Sequence, residues 1–238
     1  MMQNQHNFVA TIKTALGRTT SVGSFSDHFP GSGAIPDTAD NITPSLSSEQ
    51  REELIEIFAY NCALLNTNLY RVHSYEQATH AVVKLIRESQ VEFGHNRHVI
   101  QHDHPDIAAL ELWKNLPEES VTLHTSFAGD TQLREKTIAS FIGITAPEMA
   151  VAESGTLIEL TTPGRPRSTS LVPSIHIAIL SADRLVATLE QAYIFLQKQV
   201  LPDNLVFISG PSKTADIEAH LVHGAHGPCE LHVVIIVK

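Results

Sequence analysis

Two apolar runs, Ile175-His176-Ile177-Ala178-Ile179-Leu180 and Leu205-Val206-Phe207-Ile208, bracket a stretch that opens near Asp183, and their reading decides the fold. Leu185, Val186, Leu189, Tyr193, Leu196 and Val200 recur in that stretch on one helical face. Each flanking run is too short for a buried helix and rich in β-branched residues, so it reads as a strand. A strand, a helix and a second strand make a crossover unit, the connection that parallel strands require. Working outward, Phe141–Ile144, Thr156–Leu160 and Leu231–Val237 are further short apolar runs. The pattern predicts an α/β sheet with parallel neighbours and flanking helices.

The front half reads differently. Phe8, Ile12, Ala15 and Leu16 have helical spacing, and residues 18–47 then lose all period in Gly, Pro, Ser, Thr and Asp, which reads as a long arm. Ser47 and Gln50 have the spacing of a capping box, followed by a stripe of Leu54, Ile57, Phe58, Leu64, Leu65 and Leu69. Ser74 and Gln77 repeat the signal ahead of Ala78, Ala81, Val82, Leu85 and Ile86. Pro105 suits the first turn of a helix carrying Leu110, Trp113 and Leu116. The first 120 residues are therefore expected to be mainly helical, with brief strands at Val99-Ile100 and Val121–Leu123, and a further helix ends near Ile138. The expected organisation is an N-terminal helix and arm over 1–47, a helical front half over 48–129 and an α/β half over 130–238. Pro163-Gly164-Arg165-Pro166 reads as a turn or a mobile loop.

Composition narrows the function. The 238 residues are 42% hydrophobic and 18% charged, enough apolar chain to bury a core. A net charge of −10 repels phosphate backbones and anionic lipid, so neither nucleic acid nor a membrane surface is the expected partner. Two cysteines, Cys62 and Cys229, cannot supply a four-thiolate cluster, a zinc knuckle or a disulfide framework. No basic and apolar leader is visible at Met1–His6, and the longest apolar run, Val233–Val237, falls far short of the ~20 residues of a membrane span. Together these features suggest a cytoplasmic protein without membrane insertion. Fourteen histidines exceed the ten net negative charges, so full protonation would reverse the sign.

Three segments carry potential chemistry, each expected at the carboxyl end of a strand, where open α/β sheets build their sites. Ser209-Gly210-Pro211-Ser212-Lys213-Thr214-Ala215-Asp216-Ile217-Glu218 follows a strand and is expected to open a helix through Leu221. Hydroxyls at Ser212 and Thr214, the Lys213 cation and helix-start N–H groups suit a phosphate or carboxylate, although capping alone would also explain them. The Gly-x4-Gly-Lys spacing of a nucleotide loop is absent. Glu153-Ser154-Gly155-Thr156 places a carboxylate beside a glycine turn, suited to a base, a nucleophile or an ordinary turn. His223-Gly224-Ala225-His226-Gly227-Pro228 lets backbone approach a ligand closely and offers His226 as donor or proton carrier. Gly224 and Gly227 break the three-residue spacing of His220, His223 and His226, so no metal site is read there. His95, His98, His102 and His104 read as a solvated surface set, and His176 as either a core residue or a site wall.

Phe141-Ile142-Gly143-Ile144-Thr145, Val151-Ala152-Glu153-Ser154-Gly155-Thr156, Pro173-x-x-His176, Ser209–Glu218 and His226-Gly227-Pro228, in that order, resemble the signature of the lactate utilization protein C family, the LUD domain. The resemblance covers about residues 130–238 well and the front half loosely. Ala146-Pro147-Glu148 departs from the Gly-Ala-Asp-like run usual in the family. The resemblance implies a fold similar to the ribose-5-phosphate isomerase, glucosamine-phosphate deaminase and CoA-transferase superfamily. It also implies a part in oxidising L-lactate to pyruvate beside iron–sulfur partner proteins, with no cofactor in this chain. On that reading a small anionic metabolite binds at Gly210, Ser212, Lys213, Thr214, Asp216, His226, His176 and Thr156. The alternatives are a metabolite-binding sensor or scaffold, and an independent isomerase or acyl-transfer enzyme using Glu153, by analogy of fold alone.

Overall fold

The computed structural model describes residues 46–90, 97–116, 120–198, 204–217, 220–223 and 227–237. The expected N-terminal helix and nearly all of the arm lie outside them, as does His95. Ser47 accepts from Gln50 N and Gln50 caps Ser47 N in return, starting α1 (Ser48–Leu64). β1 (Asn68–Val72), α2 (Tyr75–Glu88, capped by Ser74), β2 (Arg97–Gln101), α3 (Pro105–Ala108), α4 (Leu112–Asn115), β3 (Val121–Thr125) and α5 (Leu133–Ala139) follow. The second half adds β4 (Ile142–Thr145), β5 (Met149–Val151), β6 (Thr156–Leu160), α6 (Ser168–Leu171), β7 (Ile175–Ser181) and β8 (Leu185–Val186). α7 (Leu189–Gln197), β9 (Leu205–Ile208), β10 (Lys213–Ile217), β11 (His220–His223) and β12 (Glu230–Ile236) complete it.

Six strands form one parallel sheet in the order β1-β12-β7-β4-β2-β3. Its central strands are buried on both faces, which is why their sequences are apolar without alternation. In β7, Ile175, Ile177 and Ile179 pack on one side with Ala78, Val82 and Ile86 of α2 and Ile107 of α3. Ala178 and Leu180 pack on the other with Ile55, Phe58 and Cys62 of α1 and Leu157 of β6. Phe58 is fully buried, worth about 2–3 kcal/mol by area. A second sheet, β8-β5-β6-β9, lies on that same side, and α7 covers its far face through Ala192 and Leu196.

The α/β class with helices flanking a parallel sheet is as expected, and several details are not. Thr156–Leu160 and Leu205–Ile208 do not join the parallel sheet; they pair antiparallel as β6 and β9 in the second. The helix expected near Asp183 starts at Leu189, because Leu185-Val186 extends to pair with β5 and Thr188 caps the helix instead. The front half is mainly helical among its described residues, as expected, yet it also gives three of the six strands of the main sheet, of which β1 was not expected. α1 buries Ile55, Phe58 and Cys62, leaving Ile57 and Leu64 exposed, since apolar residues lie on several sides of this helix. Leu69 belongs to β1, beyond a left-handed turn at Asn66. Leu110 and Leu116 are buried as their spacing suggests, whereas Trp113 is exposed.

Candidate functional site

Within the Ser209–Glu218 segment, Lys213–Ile217 is a strand and not a helix start. β10 pairs antiparallel with β11, Lys213 opposite His223 and Thr214 opposite Val222. Ser/Thr and acidic residues resemble a helix cap locally, but pairing with His220–His223 takes the backbone groups that a helix would need. No helix dipole therefore contributes to anion binding there. The expected placement at carboxyl ends of parallel strands also fails. Gly227 and Pro228 precede β12, and Glu153 and Ser209 belong to the second sheet's connections.

The predicted segments nevertheless converge on the last turn of α1. Gly155 has φ 61°, and a Cβ there would lie 3.0 Å from Leu65 Cδ1 and 3.1 Å from the Asn61 carbonyl carbon. Gly210 has φ 90°, and a Cβ would lie 2.9 Å from the Leu65 carbonyl oxygen. Both positions need glycine for conformation as well as for space. The Lys213 ammonium donates to that same Leu65 carbonyl at 3.1 Å. Thr156 Oγ1 is 2.8 Å from both Ser154 Oγ and Ser209 Oγ, making a short hydroxyl chain across the two segments. Ser212 N donates to Pro228 O at 2.8 Å, and Gly227 packs against the Ser212 side chain. Gly210, Ser212, Lys213 and Thr156 are thus brought to one region. Thr214 and Asp216 lie on β10, and His226 lies outside the described residues.

Glu153 is used differently. It sits in a 3-10 turn, exposed, and its Oε1 accepts Leu189 N at 2.7 Å, covering the amino end of α7. His176 does not join the Lys213 region either. It belongs to a buried polar cluster whose other members the sequence assigns to no site. Glu159 on β6, Thr145 on β4 and His102 after β2 are 4%, 0% and 3% exposed, and His176 is 1% exposed. Thr145 Oγ1 donates to Glu159 Oε1 and lies 2.7 Å from His176 Nε2, which is itself 3.5 Å from Glu159 Oε1. Burial raises the pKa of Glu159, but the contact with His176 and the Thr145 hydroxyl outweigh it and hold the carboxyl down at about 2. His102 is also buried, not a surface histidine, and burial pushes its pKa down to about 4. Its Nε2 meets Pro166 O at 3.2 Å. His104 is likewise buried, caps α3 through Asp106 N, and is held below its usual range by burial.

At the carboxyl edge of the main sheet, Tyr75 donates to Asp106 Oδ1 at 2.6 Å, which with burial pushes the phenol up to about 12. Arg184 approaches the other oxygen of Asp106 at 3.5 Å. Burial pushes the Cys62 thiol up to about 12, leaving it protonated and unreactive. Among the described residues, no group of three His, Cys, Asp or Glu side chains is placed to hold a metal ion. No described helix is long and apolar enough to cross a membrane.

Comparison with known proteins places this geometry in a family. The LUD domain model matches residues 55–236. Lactate utilization protein C of Shouchella clausii is 30% identical over 244 residues, covering 99% of each chain. The protein of the same name from Exiguobacterium sp. is 32% identical over 80% of this chain and 81% of its own. That of Bacillus subtilis is 27% identical over 99% of this chain and 97% of its own. A solved DUF162 family protein of Deinococcus radiodurans superposes with a TM-score of 0.53 at 21% identity, covering 81% of this chain and 99% of that one, a likeness of fold.

Proposed function

The chain belongs to the LUD domain family, and from that premise we propose that it is a component of a lactate utilization system, binding a small carboxylate anion for iron–sulfur partner proteins. The observation that carries the reading is that Lys213 and the glycines Gly155 and Gly210, which flank the Ser154–Thr156–Ser209 hydroxyl chain, all meet Leu65 at the end of α1. The Leu65 carbonyl takes one of the three donors of the Lys213 ammonium, and the exposed head keeps the others for a carboxylate. Hydroxyls beside it supply further donors to the same charge. Ser212 and Gly210 frame the approach, and Thr214, Asp216 and His226 complete the proposed set.

Electron transfer is assigned to the partners, because two cysteines cannot ligate a four-thiolate cluster in this chain. Lactate oxidation releases two electrons and two protons, and on this reading the electrons pass to a redox centre of a partner. The alternative role for Glu153 as nucleophile or base is less favoured, since its Oε1 already accepts Leu189 N.

The test is a melting-temperature panel on the purified chain with lactate, pyruvate, sugar phosphates and CoA. Lactate or pyruvate should raise the midpoint in the native chain and much less in Lys213→Ala. An equal shift in both proteins would place the anion elsewhere, and no shift with any anion would reject binding by the isolated chain.

A further inference from the structure

The buried cluster around Glu159 leaves three polar atoms without a partner among the described residues: Glu159 Oε2, His102 Nδ1 and His176 Nδ1. Their residues are all more than nine-tenths buried. A buried, unsatisfied polar atom costs about 1–3 kcal/mol, more when charged, so three in one place demand an occupant. The protonation pattern says which kind. Pro166 O can only accept, so His102 Nε2 carries its hydrogen and Nδ1 of the neutral ring is a bare acceptor. Thr145 spends its one hydroxyl hydrogen on Glu159, so it accepts from His176 Nε2. Glu159 Oε2 is a second bare acceptor, and His176 Nδ1 is the third unpaired atom. Bare acceptors within one buried cluster are the complement of a water molecule, which can donate two hydrogen bonds and typically makes about three in all when buried.

We propose that this buried cluster, which links the two sheets through Thr145 and Glu159, holds a water site, and that fixed water joins His102, Glu159 and His176 into one buried proton-sharing network. The neighbouring structure supports the assignment. Thr169 Oγ1 on α6 is also buried without a partner. The Thr169 carbonyl lies directly over Gly143, the register partner of His176, where a Cβ would approach it to 1.8 Å. The segment that closes the space is therefore Pro166–Leu171. Its far end, the Leu171 carbonyl, lies beside Gly227, which in turn packs against Ser212. One short piece of backbone thus touches both the water site and the proposed anion region, although the water site stands independently of that function.

The deciding experiment is a crystal structure of the full chain at about 1.5 Å, with histidine 15N spectra of the same protein. Water oxygen is expected about 2.7–3.2 Å from at least two of Glu159 Oε2, His102 Nδ1 and His176 Nδ1. His102 is expected as the neutral Nε2–H tautomer at pH 7, and Glu159→Gln should move the ring nitrogen shifts of both histidines. A dry space, rings turned to pair with protein, or an anomalously scattering ion at about 2.0–2.2 Å would each overturn the proposal. So would a Glu159→Gln response confined to His176. If that variant does not fold, the native crystal structure and native spectra still decide.

Discussion

Thr145 and His176 occupy neighbouring parallel strands, and their side chains meet at 2.7 Å in the protein interior. Thr145 also donates to Glu159, so one hydroxyl ties the main sheet to β6 of the second. The contact is buried, and its weight in stability follows from what each deletion strands. Glu159→Ala leaves His176 without its carboxylate and should cost about 3–5 kcal/mol in urea denaturation. Thr145→Val keeps both ionisable groups but removes two hydrogen bonds, and should cost about 1–3 kcal/mol. The double variant should lose less than the sum of the two.

Acid should weaken the fold through His102. Its folded pKa, about 4, lies below the ordinary value of 6.5, so between these values the unfolded chain takes up a proton that the native chain refuses. That contribution is complete above about pH 6.5 and is lost as pH falls toward 4, on the order of 3 kcal/mol in all. Glu159 acts in the same direction at lower pH, because its carboxyl stays ionised well below the usual range. Denaturation midpoints at pH 7, 5.5 and 4 should therefore fall steadily in the native protein and less steeply in His102→Gln.

Gly143→Ala should be among the more damaging small changes. Its new methyl group would collide with the Thr169 carbonyl, and backbone yields less readily than a side-chain end. A loss of about 3 kcal/mol is expected, with α6 displaced from β4. Stability equal to the native protein would mean that α6 does not hold this position.

Glu153 separates a structural from a chemical role. As the acceptor at the start of α7, Glu153→Ala should lower stability by about 1 kcal/mol, whereas Glu153→Gln keeps an accepting oxygen and should stay within about 0.5 kcal/mol. Full lactate-dependent activity in Glu153→Gln is expected. Its abolition would restore the carboxylate to the mechanism.

The features legible in the sequence were those set by local chemistry. The Ser47 and Ser74 caps satisfy backbone donors within three residues, so their helices begin where the pattern says. The apolar runs of β7 and β12 are equally readable, because both of their faces are buried. β1, Asn68-Leu69-Tyr70-Arg71-Val72, escaped because an edge strand has one neighbour and carries mixed side chains. The β10–β11 hairpin escaped because its Ser, Thr, Asp and Glu residues also suit a helix start, and only pairing with His220–His223 decides between them. Gly210, Ser212, Lys213 and Thr156 of the proposed site are readable from their segments, and the structure brings those segments to one region. Glu159 was not readable in that way, although a lone carboxylate within Thr156-Leu157-Ile158-Glu159-Leu160 was itself a signal, since a charge in a strand buried on both sides must have partners. Those partners come from three other segments, and no local spacing reveals them.

The most direct test of the central proposal is lactate-dependent dye reduction by iron–sulfur partner proteins, assayed with the native chain, with Lys213→Ala and with the chain omitted. The account predicts full activity with the native chain, at least a tenfold loss with Lys213→Ala and background without it. Undiminished dye reduction when the chain is omitted would contradict it.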